Sequence, residues 1–310
     1  MPELYYKPSG KFSPISLLYF VVFMVITIPV LSIVYIYAIR FIPFIYLNFL
    51  IAIACGCAVG FVMMLISKWG KIRNTILVIC LTIVAMIVLK YFQWCIYIPL
   101  VYSDIYHFFQ ASFLDRMLLS FDLFLRPDVV IEEAIFINAN GTWSLGSSGS
   151  SGYAVTGIFL SIVWIGEFIL MLAGAIALAF SQPGSPYSEN TNDWYKEVKT
   201  PFEAGLPADP AAFKARLETG DFRELISLVY QGRADQLDHL SLVMFEPKQP
   251  TPVDPYYITI SQQTTSYDKK GAQKVSSKPL MTYLSVNHAI MAEITQAQTQ
   301  RLTATTPVAG

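Results

Sequence analysis

Residues 153–180 read YAVTGIFLSIVWIGEFILMLAGAIALAF, and Glu167 is the single charged residue in this stretch. At about 1.5 Å per residue, a helix of this length exceeds the roughly 30 Å hydrocarbon core of a bilayer. The stretch therefore predicts a membrane-spanning helix. Glu167 is its most informative residue, because an ionisable group inside a bilayer costs at least a few kcal/mol unless it is compensated.

The composition of the whole chain agrees with a membrane protein that carries a soluble part. The 310 residues are 54% hydrophobic and 14% charged, whereas soluble chains are typically about 25% charged. The formal net charge of -1 does not indicate a nucleic-acid partner. The cysteines all lie in apolar runs and predict neither a disulfide framework nor a zinc site, so no cofactor is expected: Cys55, Cys57, Cys80 and Cys95.

Three further apolar runs, at 15–39, 44–66 and 75–100, give four predicted spans in total. The expected fold class is an all-α four-transmembrane-helix bundle followed by a small soluble α+β C-terminal domain. The predicted divisions are an N-terminal tail 1–14, spans one to three within 15–100, a loop 101–152, the fourth span 153–180, a Pro/Gly-rich linker 181–209, a soluble domain 210–302 and a disordered tail 303–310.

The orientation follows from the loop between the second and third spans. Residues 67–74 (SKWGKIRN) hold Lys68, Lys71 and Arg73. Short loops that are this basic stay in the cytoplasm. With four spans, both termini are then cytoplasmic. The loop 101–152 is expected on the outer side of the membrane, which we take to be a bacterial inner membrane.

Two glycines of the second span, Gly56 and Gly60, have G-x-x-x-G spacing. This spacing places two bare backbone patches on one helix face, so a neighbouring helix can approach closely. Helix packing is the principal interpretation. A functional groove along this face is the alternative.

A charge pair is predicted between the third and fourth spans. Lys90 lies fifteen residues after Thr75, and Glu167 lies thirteen before Phe180. At about 1.5 Å per residue, the two side chains reach nearly the same depth in antiparallel helices. We therefore expect Lys90 and Glu167 to face each other.

Three interpretations of this pair remain open. It is a structural ion pair that docks two helices, a proton or ion relay, or no pair at all. In the last case Lys90 extends toward the interface and Glu167 is neutral or bound near Ser161 or Trp164. The fact that Glu167 is alone in its span counts against transport.

The outer loop has its own predicted structure. Aromatic residues at helical spacing in 108–125 predict an amphipathic helix. The apolar run 131–137 followed by Asn-Gly-Thr-Trp at 140–143 predicts a strand, a turn and a second strand, and 146–152 (GSSGSSG) predicts a flexible linker.

The soluble domain alternates helix and strand signals. Asp209-Pro210 predicts the start of a helix, because an N-cap is followed by proline at the first helical position. The other predicted elements are a helix from Asp221 to Val229, strands at 240–245 and 256–267, a hairpin turn at 268–271 with a partner strand at 272–285, and a helix from Asn287 to about residue 302.

Four stretches resemble a family of uncharacterised bacterial four-helix membrane proteins with a cytoplasmic C-terminal domain. They are 70–74 (GKIRN), 140–143 (NGTW), 157–167 (GIFLSIVWIGE) and 187–194 (YSENTNDW). In that family the last stretch often carries C-x-x-C as half of a zinc-ribbon-like site. Here Ser188 and Thr191 stand at those positions, so the resemblance implies neither metal binding nor an activity.

Nucleotide-binding and hydrolase motifs are absent from the sequence. The leading hypothesis is an integral inner-membrane protein that acts as a structural or assembly subunit, with a protein partner or a second copy bound through its cytoplasmic domain. The alternative is a small transporter or channel that uses Lys90 and Glu167. An enzyme is the third hypothesis, with acid/base candidates in the outer loop: Asp115, Asp122 and Glu133.

Overall fold

The computed structural model describes residues 4–42, 45–102, 112–141, 144–145, 153–198, 202–232, 237–268 and 271–305. The chain divides into two units, which we describe separately. The helical unit is Gly10–Gly184. The sheet unit combines Met1–Ser9 with Ser185–Gly310.

The described part of the helical unit contains helices and one short hairpin. They are α1 (Ile15–Phe41), α2 (Ile45–Trp69), α3 (Thr75–Tyr102), α4 (Phe113–Phe124), α5 (Pro127–Asn140), β1 (Ser144–Leu145), β2 (Tyr153–Ala154) and α6 (Gly157–Ala179). By length and composition, α1, α2, α3 and α6 are each able to cross a membrane. The four long apolar helices predicted from the sequence are thus present, and the fourth begins at Gly157 rather than at residue 153 because β2 precedes it.

The long helices pack in pairs, α2 along α6 and α1 along α3. Their shared core contains fully buried side chains from α1, α2, α3 and α6, among them Ile28, Met63, Leu89 and Met171. The start of α3 is fixed locally, because the Asn74 side chain accepts a hydrogen bond from the Leu77 amide at 2.9 Å.

The prediction of a strand at 131–137 was wrong, because these residues lie in α5. Pro127 occupies the first turn of α5, and Gly141, with φ 74°, ends it. Val130 and Ile137, two turns apart, are buried against residues of α3 and α4. Packing on this one face overrides the β-branched composition that favoured a strand.

The helix predicted in the outer loop is confirmed over its described part, α4, which Ser112 caps through the Leu114 amide. Residues 108–111 of that prediction lie outside the described residues, as do 142–143 of the predicted turn and the predicted linker 146–152.

The sheet unit is an antiparallel sheet with helices on one face. Its described elements are β3 (Tyr187–Ser188), β4 (Asp193–Trp194), β5 (Lys196–Glu197), β6 (Phe202–Ala204), α7 (Pro210–Glu218), α8 (Arg223–Gln231), β7 (His239–Glu246), β8 (Tyr256–Tyr267), β9 (Gln273–Val286) and α9 (His288–Thr305). The main sheet has the order β5-β7-β8-β9, and β6 also pairs with β7. This unit is the α+β region that the sequence predicted.

The core of the sheet unit lies between the sheet and the three helices. Alternate residues of β7 and β8, such as Leu240, Leu242 and Ile258, pack against apolar residues of α7, α8 and α9. The predicted helix start at Asp209 is present, and its carboxylate accepts hydrogen bonds from the amides of Ala211 and Ala212. The predicted cap at Asn287 also forms, through the Ile290 amide.

The segment 181–209, predicted to be a linker, contributes strands instead. β3 and β4 form a hairpin, and β5 and β6 add to the edge of β7. The reason is the burial of two large side chains, Trp194 and Phe202, which the Pro/Gly composition of the segment obscures. At the other end, α9 extends to Thr305, into the predicted tail, and residues 306–310 lie outside the described part.

The N-terminal tail belongs to this unit as well. Tyr5 forms a β-bridge with Leu284, the Tyr6 amide donates to the Tyr283 carbonyl at 3.0 Å, and the Ser285 amide donates to the Leu4 carbonyl at 2.9 Å. Residues 4–6 therefore extend the sheet along the outer edge of β9.

Candidate functional site

A polar cluster lies where α1, α3 and α6 meet. Lys90 Nζ is 2.7 Å from Glu167 Oε1, and the Tyr35 hydroxyl donates to the same carboxylate oxygen. The ammonium also lies 5.9 Å from the centre of the Tyr35 ring. The structure thus brings together the two residues that the depth count paired, and adds a third from another helix.

The cluster is largely withdrawn from the surface of the unit. The side chains of Lys90 and Glu167 are 21% and 18% exposed, and Tyr35 is 2% exposed. A carboxylate in such a place needs a countercharge and hydrogen bonds. Lys90 supplies the charge and Tyr35 supplies a second donor.

One turn beyond Lys90, Gln93 adds an unusual polar group. It is 1% exposed, its Nε2 lies 4.0 Å from Cys55 Sγ, and its buried Oε1 has no hydrogen-bond partner among the described residues. An orphaned acceptor of this kind is uncommon in native structures and marks a place that a donor can occupy.

Two tryptophans pack beside the pair. Trp94 of α3 and Trp164 of α6 stack edge to face, with ring centroids 4.8 Å apart. Trp94 is one turn from Lys90 on α3, and Trp164 is one turn from Glu167 on α6. The contact between the tryptophans therefore lies one turn from the charge pair on both helices. The contact fixes the rotation of α3 against α6.

Gly56 and Gly60 lie on the face of α2 that meets α6. A Cβ atom on Gly56 would lie 2.0 Å from the Met171 carbonyl oxygen, and one on Gly60 would lie 2.3 Å from the Ala175 carbonyl oxygen. Both contacts are with backbone atoms of α6, which cannot rotate away. The two glycines thus allow a close approach that any other residue would prevent.

The basic loop is structured. Lys71 has a left-handed backbone with φ 52°, and Arg73, which is buried, donates its amide hydrogen to the Lys11 carbonyl at 2.9 Å. Gly70 also lies against Ser16. The loop between α2, which contains Lys68, and α3 is therefore packed against the segment around the start of α1.

The acid/base candidates of the outer loop are dispersed. Glu133 of α5 accepts a 2.5 Å hydrogen bond from the Tyr102 hydroxyl, and Asp115 lies in the first turn of α4. None of the hydrogen bonds or ion pairs described for the loop joins Glu133, Asp115 and Asp122. Across the described residues, no group of three or more His, Cys, Asp or Glu side chains is placed to hold a metal ion.

In the sheet unit, Ser188 lies in β3 and Thr191 lies in the turn between β3 and β4, and Ser188 contacts a buried carboxylate. Asp254, 5% exposed, accepts hydrogen bonds from the Ser188 hydroxyl at 3.0 Å, the Asn190 amide at 2.9 Å and the Thr251 hydroxyl at 2.7 Å. The Thr191 amide donates to Ser188 Oγ. This network joins the hairpin to the turn that precedes β8.

Tyr5 anchors the N-terminal strand to the helices. Its hydroxyl donates to Glu218 of α7 at 2.6 Å. Burial, together with this hydrogen bond and the charge of Glu218, raises the pKa of Tyr5 to about 12. The neutral phenol is therefore the form that the folded unit favours.

An open groove of about 410 Å³ runs between α8 and α9. Arg223, Ile226 and Tyr230 line it from α8, and Glu293, Gln296 and Gln300 line it from α9. Tyr230 is 54% exposed. The groove offers an aromatic ring and an anion to a partner, beside the Arg223 guanidinium, which pairs with Asp221 at 2.7 Å.

Sequence reasoning missed Tyr35, Asp254 and the N-terminal strand. A tyrosine inside an apolar run and a lone aspartate after a proline-rich turn have no distinguishing local pattern. The polar character of the first fourteen residues likewise pointed to a tail. Only long-range contacts identify these residues, since their partners are 132, 66 and 279 positions away along the chain.

Comparison with protein-family models, with characterised proteins and with solved structures found no match. The resemblance described above is therefore carried by its four stretches alone.

Proposed function

We propose that this chain is a multi-pass membrane protein of the bacterial inner membrane that acts as an assembly subunit. In this proposal α1, α2, α3 and α6 anchor the chain, and the sheet unit binds a protein partner. The observation that carries the proposal is the pairing of residues 4–6 with β9, because segments before and after the four long helices then contribute to one folded unit.

The same pairing supports an even number of membrane crossings. Residues 4–6 precede the first long helix and β9 follows the fourth, so their pairing favours an arrangement in which both segments lie on one side of the bilayer. Four spanning helices are compatible with this arrangement. Lys68 in the last turn of α2, with Lys71 and Arg73 in the loop that follows, favours the cytoplasm as that side.

The groove between α8 and α9 is the proposed surface for the protein partner. Tyrosine and arginine are enriched among the residues that dominate binding energy at protein interfaces. Tyr230 and Arg223 provide both types at one opening, and Glu293 lines the same groove from α9.

Site-specific photo-crosslinking in cells tests the proposal. A photoreactive residue at position 230 is expected to crosslink one defined protein, which copurifies in nanodiscs at fixed stoichiometry with the wild-type chain. Position 267 is the control, because Tyr267 is also an exposed tyrosine, 59% against 54% for Tyr230, and lies away from the groove. Recovery of the chain alone as a monomer, or equal crosslinking at both positions, would overturn the proposal.

A second candidate function is transport of a proton or small cation through the polar cluster. The observation that favours it is the partnerless oxygen of Gln93 one turn from the Lys90–Glu167 pair. In liposomes, a Glu167→Gln protein that folds normally but loses a pH- or ion-dependent flux would establish this function. Equal flux from Glu167→Gln and wild-type protein would exclude it.

A further inference from the structure

The hairpin formed by β8 and β9 extends beyond the rest of its sheet. β7 pairs with β8 only as far as His239 opposite Gln263, whereas β8 and β9 remain paired out to Tyr267 opposite Gln273. We call the described residues of this extension, 264–268 and 271–278, the ribbon; Thr265 near its base donates hydrogen bonds to Asp238 and to the Leu237 carbonyl. A two-stranded ribbon has no core of its own and is marginally stable in water, so its length adds little to the stability of the sheet unit.

The segment 264–278, which contains the ribbon, is strongly basic, in contrast to the remainder of its unit. Residues 264–278 contain four lysines and one acidic residue, a formal charge of +3. Residues 181–310 as a whole hold 14 acidic and 12 basic residues, so the part outside the ribbon has an acidic excess. The lysines are Lys269, Lys270, Lys274 and Lys278, of which Lys269 and Lys270 lie outside the described residues and enter here through the sequence only.

The described lysines of the ribbon are available to a ligand. Lys274 and Lys278 are exposed, and neither forms an ion pair or a side-chain hydrogen bond with any described residue. By contrast, Lys196, Lys214 and Lys248 in the body of the unit each lie within 4 Å of a carboxylate. Unpaired cations on a projecting element indicate an anionic partner.

The lengths of the connecting segments keep the bilayer within reach of the sheet unit. Residues 180–184 separate Ala179, the end of α6, from Ser185, and residues 10–14 separate Ser9 from the start of α1. Five fully extended residues span at most about 18 Å. In the proposed membrane location, the headgroup layer is therefore an anionic surface within reach of this unit.

We propose that the ribbon binds anionic lipid headgroups of the bilayer that holds the chain. This inference rests on the membrane location proposed above. Each lysine close to an anionic surface strengthens binding about fivefold, so Lys274 and Lys278 together strengthen it about twenty-five-fold. Binding of that strength is weak for a free domain, and it gains from the tether, which holds the domain at an effective concentration on the order of millimolar. The acidic remainder of the unit is repelled by the same surface, which favours contact through the ribbon.

Hydrogen–deuterium exchange of the full chain in nanodiscs tests this proposal. Discs of zwitterionic phosphatidylcholine are compared with discs that contain about a third phosphatidylglycerol. We expect backbone exchange in residues 264–278 to slow at least fivefold in the anionic discs at low salt. The protection should disappear in about 0.5 M NaCl, where the Debye length falls to a few ångströms.

Two matched double variants locate the effect. K274Q/K278Q should lose the protection, and K196Q/K248Q, which removes the same charge from the body of the unit, should retain it. Equal exchange in the two kinds of disc, loss of protection in both variants, or protection that requires a copurified protein would each overturn the lipid assignment.

The same experiment separates the two proposals. If the chain inserts into discs and crosslinks its protein partner while the ribbon stays unprotected, the lipid inference fails alone. If the chain does not insert into discs, the membrane location fails and the lipid inference fails with it.

Discussion

Each of the two units contains a carboxylate that is withdrawn from the surface, and different kinds of group stabilise the two carboxylates. Glu167 in the helical unit receives a full countercharge from Lys90 and a phenol from Tyr35. Asp254 in the sheet unit receives neutral donors from Ser188, Asn190 and Thr251. No ion pair is described for Asp254, although it is the more deeply buried of the two.

The proposed membrane location accounts for the difference. A charge in hydrocarbon gains nothing from surrounding water, so in the proposed membrane a nearby cation is the effective compensation. In the same proposal the sheet unit faces water, where several oriented hydrogen bonds can stabilise a carboxylate such as Asp254. The comparison predicts that the stability of the helical unit depends on the countercharge of Lys90. It predicts that the stability of the sheet unit depends on the number of hydrogen-bond donors to Asp254.

Removal of the countercharge should have the largest effect. Lys90→Met leaves Glu167 with one phenol donor, and an uncompensated buried charge costs about 3–5 kcal/mol. We expect a loss of this size in the free energy of unfolding, measured by denaturant titration in mild detergent. The double variant Lys90→Met/Glu167→Gln should recover at least half of it. A loss below about 1 kcal/mol for Lys90→Met would mean that Glu167 is neutral or hydrated.

Removal of the buried acceptor in the sheet unit comes next. Asp254→Ala leaves three donors without their acceptor and should lower the local stability by about 3 kcal/mol, measured by hydrogen exchange in β8. Glu246→Gln is the control, because Glu246 forms an exposed 3.4 Å pair with Lys196 and such pairs contribute less than about 1 kcal/mol. Similar exchange in both variants would show that the network does not stabilise the unit.

The close contact of α2 and α6 should give a smaller loss. Gly60→Ala places a methyl group 2.3 Å from the Ala175 carbonyl oxygen, and overpacking of this kind costs about 1–3 kcal/mol. Gly166→Ala is the matched control in α6, because nothing lies within 4 Å of its added Cβ. Denaturant titration of both variants measures the difference. Equal stability would mean that the two helices can separate without cost.

Alkaline pH should weaken the N-terminal strand by the smallest amount. The raised pKa of Tyr5 means that its stabilising contribution is complete below pH 10, its ordinary value, and is lost as the pH rises toward about 12. The melting temperature of the sheet unit should therefore fall more steeply between pH 10 and 12 in the wild type than in Tyr5→Phe. Parallel curves for the two proteins would contradict the role of the Tyr5–Glu218 bond.

The features that could be predicted from the sequence are those with a regular spacing of residue types along the chain. The four long helices and the pairing depth of Lys90 and Glu167 follow from apolar run length and helical rise, which do not depend on distant partners. The strand and turn patterns of residues 256–286 were similarly informative. In contrast, residues 131–137 have strand-forming composition but pack as a helix against α3 and α4, and composition alone does not record that contact.

Local spacing was enough to predict the four apolar helices, the α+β character of the C-terminal region and the pairing of Lys90 with Glu167. The folded structure was needed to show that Tyr35 joins this pair, that Asp254 accepts hydrogen bonds from three neutral donors, and that residues 4–6 complete the edge of β9. Each of these arrangements joins residues more than sixty positions apart. Their energies depend on packing and burial in the folded chain, and no local pattern of residues encodes that environment.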